Sequence, residues 1–167
     1  MKEKLWSLLA AFVSRPAVAN WLIRKSQWTP YFHLHGYMKR WWLFNRYSEV
    51  DSMEKVERRF KWLPSIRVHH ILREDRAAHL HDHPWNARTI ILKGSYVEEM
   101  EDGQVYVRRP GDTRPIRYGE YHHIRWVQPG GVYTLFFTWE YMGTWGFLVD
   151  GKKVPYKKYL EEHPERS

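Results

Sequence analysis

His79, His81 and His83 stand at every second position in the stretch His79-Leu-His-Asp-His-Pro-Trp85. An extended backbone sends alternate side chains to one face, so all three imidazoles would point the same way. Neutral imidazole is a common ligand for divalent metals, and imidazoles held on a rigid strand form a chelate. After Pro84 the chain enters the β-branched run Thr89-Ile-Ile-Leu92, and Lys93-Gly94 marks a turn. A further pair, His122 and His123, follows the turn residue Gly119. Turns on either side of that pair, at Pro110-Gly111 and Gln128-Pro-Gly-Gly131, would let the chain fold back on the first group.

His81-Asp-His83-Pro84 followed by Gly94 resembles the first motif of the cupin superfamily, and Gly119-Glu-Tyr-His122 resembles the second. The resemblance covers about residues 66–149 and carries over His81, His83 and His122 as metal ligands. It implies a mainly β fold, a double-stranded β-helix (the jelly-roll or cupin barrel), here with N-terminal α-helices. The departure is at the motif's glutamate, whose two allowed positions hold Ala87 and Arg88. The remaining set is all-histidine, similar to the thiol dioxygenase branch. It suits one divalent metal, Fe(II) foremost, with Zn, Ni or Cu as alternatives. His79 and His123 are candidates for supporting the ligands from behind. Arg88, Tyr96 and Arg117 are candidates for substrate handling, the arginines as clamps for an anionic group and the tyrosine as a donor. Arg73, Tyr106 and Tyr121 are weaker candidates of the same kind. One of His69 and His70 must face inward. Asp82 should face away from the imidazoles.

The implied activity is that of a metalloenzyme of dioxygenase or oxygenase type acting on a small anionic substrate. The alternatives are a non-catalytic cupin that binds a ligand or partner, and a basic protein of nucleic-acid or membrane surfaces. The formal net charge of +8 favours anionic partners without choosing among them. Nucleic acid is the poorer fit, because Lys and Arg run from Lys2 to Arg166 without an obvious cluster. The chain has no cysteine, which excludes thiolate metal sites and disulfides and fits a cytoplasmic setting. It has no glycine-rich phosphate loop, no Gly-x-Ser-x-Gly and no His-Glu-x-x-His.

Three segments must position these groups. Residues 1–64 form a helical and linker segment, 65–150 the barrel and 151–167 a tail. Leu5, Leu8, Leu9, Phe12 and Val13 form one apolar stripe of a helix. A second helix is expected with Ser14 as cap and Pro16 in its first turn. The stripe has three readings: a face packed on the barrel or on a second subunit, an interfacial membrane helix, or a signal peptide. The resemblance implies a homodimer, with these helices as the contact. Residues 37–44 read as strand or helix. His33 and His35 lack a third ligand. The charge-rich run from Glu49 to Phe60 reads as an exposed loop or short helix, with ion pairs among Glu54, Glu57, Arg58 and Lys61.

Overall fold

The structure is a computed structural model that describes residues 2–47 and 58–163. The ion pairs expected of Glu54 and Glu57 lie outside the described residues. Two helices open the chain, α1 (Lys2–Val13) and α2 (Pro16–Ser26). Arg15, not Ser14, is the residue before α2, and it makes no side-chain cap; Pro16 instead presets the first turn.

Among the described residues ten strands follow: β1 (Met38–Phe44), β2 (Ser65–Ile71), β3 (Trp85–Lys93), β4 (Tyr96–Met100), β5 (Val105–Arg108), β6 (Thr113–Ile116), β7 (His122–Val127), β8 (Val132–Tyr141), β9 (Gly146–Val149) and β10 (Lys152–Pro155). A last helix, α3 (Tyr156–Glu162), buries Tyr159.

The strands form two antiparallel layers. One runs β1-β2-β8-β3-β6. The other is made of β5-β4-β7 and β10-β9, joined where His81 bridges to both His122 and Phe147. This is the jelly-roll arrangement, with Ile91, Ile124, Val127 and Val132 in one core cluster. The barrel sheet begins before residue 65, because β1 pairs with β2 from Met38↔Ile71 to Phe44↔Ile66. Trp41 and Trp42 explain why this run is a strand: both are buried once β2 supplies a partner.

The helices pack on the outer face of the five-stranded sheet. Trp6 of α1 meets Phe137 edge-on at 5.1 Å and Trp139 at 6.0 Å. Ala10, Val13, Leu22 and Ile23 share a buried cluster with Val68, Ile90 and Leu135.

Gly94 closes the β3–β4 turn at φ +78°, and a Cβ there would sit 2.5 Å from the Gly131 carbonyl oxygen. That oxygen and the Val132 Cα, 3.1 Å away, are both backbone, so neither can swing away. Gly94→Ala is expected to cost about 2–3 kcal/mol. A thermal melt should show it as a midpoint lower by roughly 5–10 °C. An unchanged melt would mean that the two turns separate freely.

Candidate metal centre and its cavity

His81, His83 and His122 come together although the first two precede the third by about forty residues. Their ligand nitrogens all lie within 4.8 Å of one another. His83 Nε2 and His122 Nε2 are 2.9 Å apart. Two imidazole nitrogens on one metal at about 2.1 Å each are separated by about 3 Å, so this spacing fits a shared ion. The backbone of His81 exchanges hydrogen bonds with that of His122, N to O at 2.9 and 3.0 Å. That reciprocal pair fixes the two imidazoles relative to each other.

Carboxylates back two of the rings. Glu98 Oε1 lies 2.7 Å from His122 Nδ1, and Asp75 Oδ2 lies 3.5 Å from His81 Nδ1. These are ion-pair distances, and His122 Nδ1 is not in hydrogen-bond geometry; a carboxylate beside the far nitrogen still raises the basicity of the nitrogen that faces the other imidazoles. Each carboxylate is itself held. Glu98 is fully buried and accepts hydrogen bonds from Arg114 and from Arg108, the latter at 2.8 Å. Arg114 also pairs with Glu120. Asp75 accepts from Tyr37 and, at 2.8 Å, from the Ile124 amide.

Burial pushes the imidazoles toward their neutral form. His81 is lowered from the usual 6.5 to about 4, by burial first and opposed by Asp75. His83 is lowered too, by burial and then by the two neighbouring histidines. A metal ion held there would therefore meet two neutral imidazoles at neutral pH. For Glu98 burial alone would raise the pKa; the adjacent His122 imidazole and the charge and hydrogen bonds of Arg114 more than reverse it, holding the carboxyl well below its usual range.

The imidazoles open on a cavity of about 1520 Å³ that also touches Tyr96, Thr89, Ile116 and Phe136. Tyr96 is raised, by burial and then by the charge of Glu98, so it offers a hydrogen-bond donor and not a base. His69 and Arg67 line the same cavity. The Phe136 ring lies 6.0 Å from His83, 4.8 Å from His69 and 5.5 Å from the Arg67 guanidinium. His70 takes the other face, stacked on Tyr133 at 3.9 Å.

The other candidates are elsewhere. Arg88 turns away from the cavity: it pairs with Glu3 of α1 at 2.6 Å and lies over the Trp6 ring. Alternation along β3 decides this, since Ala87 takes the inward position and packs with Ile116 and Phe136. Arg117 is exposed beyond the end of β6 and does not line the cavity. His79 leaves the imidazole face because the chain is not extended there; its Nδ1 meets the Tyr159 hydroxyl at 2.9 Å. His123 is buried with Nε2 at 2.8 Å from the Ala77 carbonyl, so it ties down the segment that leads to His81. Asp82 points away from the imidazoles and accepts from the Gly146 amide at 2.7 Å. Tyr106 lies on the outside of β5, and Tyr121 is buried away from the cavity.

Arg67, Asp75, Glu98 and Arg114 escaped the sequence reading. Arg67 lies two residues before His69 on the same strand, so alternation places both on one face. Glu98 shares parity with Tyr96 in the same way. Asp75 sits in a loop and carries no such signal.

Arg67 has an unusual setting. It is 1% exposed, and five aromatic rings surround it, Tyr31, Trp42, Tyr47, Trp85 and Phe136, all within 5.7 Å. Its Nη2 donates to Thr138 Oγ1 at 3.3 Å, while its Nε and the Nε2 of His69 make no hydrogen bond. Among the described residues no carboxylate pairs with Arg67. Arg40, another lining residue, donates to the Phe32 carbonyl oxygen at 2.7 Å. Burial, and then the charge of Arg67, lowers Arg40 to about 10.

No protein-family profile matches the chain, and no curated protein matches it. Solved structures do, and they are cupin-fold proteins. A putative mannose-6-phosphate isomerase from Ralstonia eutropha JMP134 is 21% identical, over 46% of this chain and 74% of that one, at a TM-score of 0.42. KdgF from Halomonas sp. is 13% identical, over 65% and 86%, at 0.45. A single-residue variant of Bacillus subtilis oxalate decarboxylase OxdC is 14% identical, over 84% of this chain and 34% of that one, at 0.49.

Proposed function

We propose that the protein is a metal-dependent enzyme of the oxygenase kind that acts on a small anionic molecule. The observation that carries this reading is the polarity of its cavity. Three imidazoles stand at one end, a buried cation that pairs with no carboxylate among the described residues stands at the other, and Phe136 lies between them. A divalent metal held by His81, His83 and His122 would supply Lewis acidity and, as Fe(II), activation of dioxygen. The chain's own residues do the rest. Arg67 and His69 bind and orient the anionic group. The aromatic lining excludes water and strengthens that attraction. Tyr96 offers a proton-bearing hydroxyl. A buried guanidinium is costly without a counter-ion, and the surrounding rings offset only part of that cost. A carboxylate or phosphonate on the substrate would offset more.

The test loads the protein with Fe(II) without oxygen. Dioxygen uptake is then followed against a panel of small carboxylates, sulfonates and phosphonates. Uptake with at least one of them is expected. Arg67→Met should raise KM for that compound by roughly tenfold to a hundredfold, the value of a charge-assisted hydrogen bond, and move kcat less. Equal KM values in both proteins would remove Arg67 from substrate binding. The second reading is a non-catalytic binding module, favoured by the apolar packing of Ala87 where the family motif carries a glutamate. Anion binding that persists without metal, with no oxygen uptake in any loaded form, would select it.

A further inference from the structure

Helix α1 is apolar on two distinct faces. Trp6, Ala10 and Val13 lie against the sheet. Leu5, Leu8, Leu9 and Phe12 recur at the spacing of a single helical face and point to solvent, Leu8 68% exposed and Phe12 51%. The stripe legible in the sequence is thus the face the barrel leaves uncovered, apart from Val13. On the helical wheel Lys2 and Lys4 flank this face from either side. The Arg15 guanidinium lies 5.6 Å from the Phe12 ring. Beyond it, Trp21 of α2 is exposed between Arg24 and Lys25, and Lys25 lies 5.8 Å from Trp28, which is 84% exposed.

Charge says what covers this face. The two helices, residues 2–26, carry five Lys and Arg against one acid, Glu3, a net charge of +4. The basic residues are spread along the whole chain, but the acids that neutralise them are not. The one acid here is occupied by Arg88. A second copy of the chain would bring the same positive surface against itself. Nucleic acid would not use four exposed aliphatic and aromatic side chains of one helix face. An anionic bilayer answers both features, taking apolar side chains into its acyl boundary and basic ones among its phosphates. With 12 residues α1 is too short to cross a bilayer, and no described helix is long and apolar enough to do so.

We infer that α1, with the adjoining basic and aromatic residues of α2, docks the protein flat on an anionic membrane surface. This inference is independent of the metal centre, which lies inside the barrel while α1 packs on the outside of the five-stranded sheet.

The full chain should be sedimented with vesicles of phosphatidylcholine alone and of phosphatidylcholine mixed with phosphatidylglycerol. Binding is expected to the mixed vesicles only, and to weaken in high salt. Leu8→Glu/Phe12→Glu should reduce it by about tenfold or more, since a charge replaces each inserted group. Both positions are exposed, so the thermal melt of the variant should match the parent. Three results would overturn the inference. The first is no binding to mixed vesicles. The second is equal binding by parent and variant. The third is a dimer of the parent by light scattering that the double variant dissociates, which would assign the face to a second copy.

Discussion

Purified without chelator or affinity tag, the protein is expected to carry about one divalent metal per chain, and the His81→Ala/His83→Ala variant none. Elemental analysis reads both. Two of three imidazoles are lost in the variant, and the affinity should fall by at least about a hundredfold, the upper range for removing a mere supporting partner of a ligand. The fold should persist, because His81 and His83 face the cavity and no core cluster includes them. Glu98→Gln is expected to lie between, weaker by roughly tenfold to a hundredfold. It keeps a hydrogen-bonding shape beside His122 but loses the charge that makes that imidazole a better ligand. No metal in the parent, even after anaerobic loading with Fe(II), would end the metalloenzyme reading. The metal found would choose the assay: oxygen uptake for iron, hydrolysis or isomerisation for zinc.

Arg114→Met should be the most destabilising single change near the site. Glu98 is fully buried, and Arg114 grips it through Nε and Nη2. Removing one partner of such a pair leaves a buried charge undercompensated, at a cost of about 3 kcal/mol, with Arg108 and His122 limiting the damage. Denaturation should show a midpoint lower by roughly 6–12 °C. Adding Glu98→Gln to Arg114→Met should recover part of the loss, since the charge needing compensation is then gone. Simple additivity of the two changes would mean that the residues do not act as a unit.

The same carboxylate predicts a pH dependence. Its folded pKa lies below the usual 4.5, so the stability it contributes is complete above that value and is lost as pH falls toward the folded pKa. The parent should therefore weaken from about pH 5 downward. Glu98→Gln should weaken less over that window.

Much of the fold was legible because its signals are local. Alternating β-branched runs between glycine turns mark β2, β3, β7 and β8 within a residue or two of their ends, apart from the longer C-terminal end of β8 and the N-terminal end of β3. The periodicity of residues 5–23 marks two helices. His81, His83 and His122 were linked across the chain only through the resemblance to the two cupin motifs, carried by their spacing to Gly94 and Gly119. β1 was ambiguous, since a short aromatic run becomes a strand only when β2 offers its edge.

What sequence alone determined, then, is the succession of strands and turns; the shared face it implied for His79, His81 and His83 holds for the last two and not for His79. What only the tertiary structure decided is which face is inside. Arg88 and Arg67 look alike in the sequence. The sheet's register turns Arg88 outward to Glu3 and Arg67 inward among five rings. The glutamate missing from the first motif is not replaced in place. Its support for the site comes from Glu98 and Asp75, brought in by the β4–β7 register and by a loop. On α1 the apolar stripe was plain, but the barrel packs a different side, taking only Val13 from the stripe. Periodicity records that a face is apolar; only the packed neighbour determines whether protein or something else must cover it.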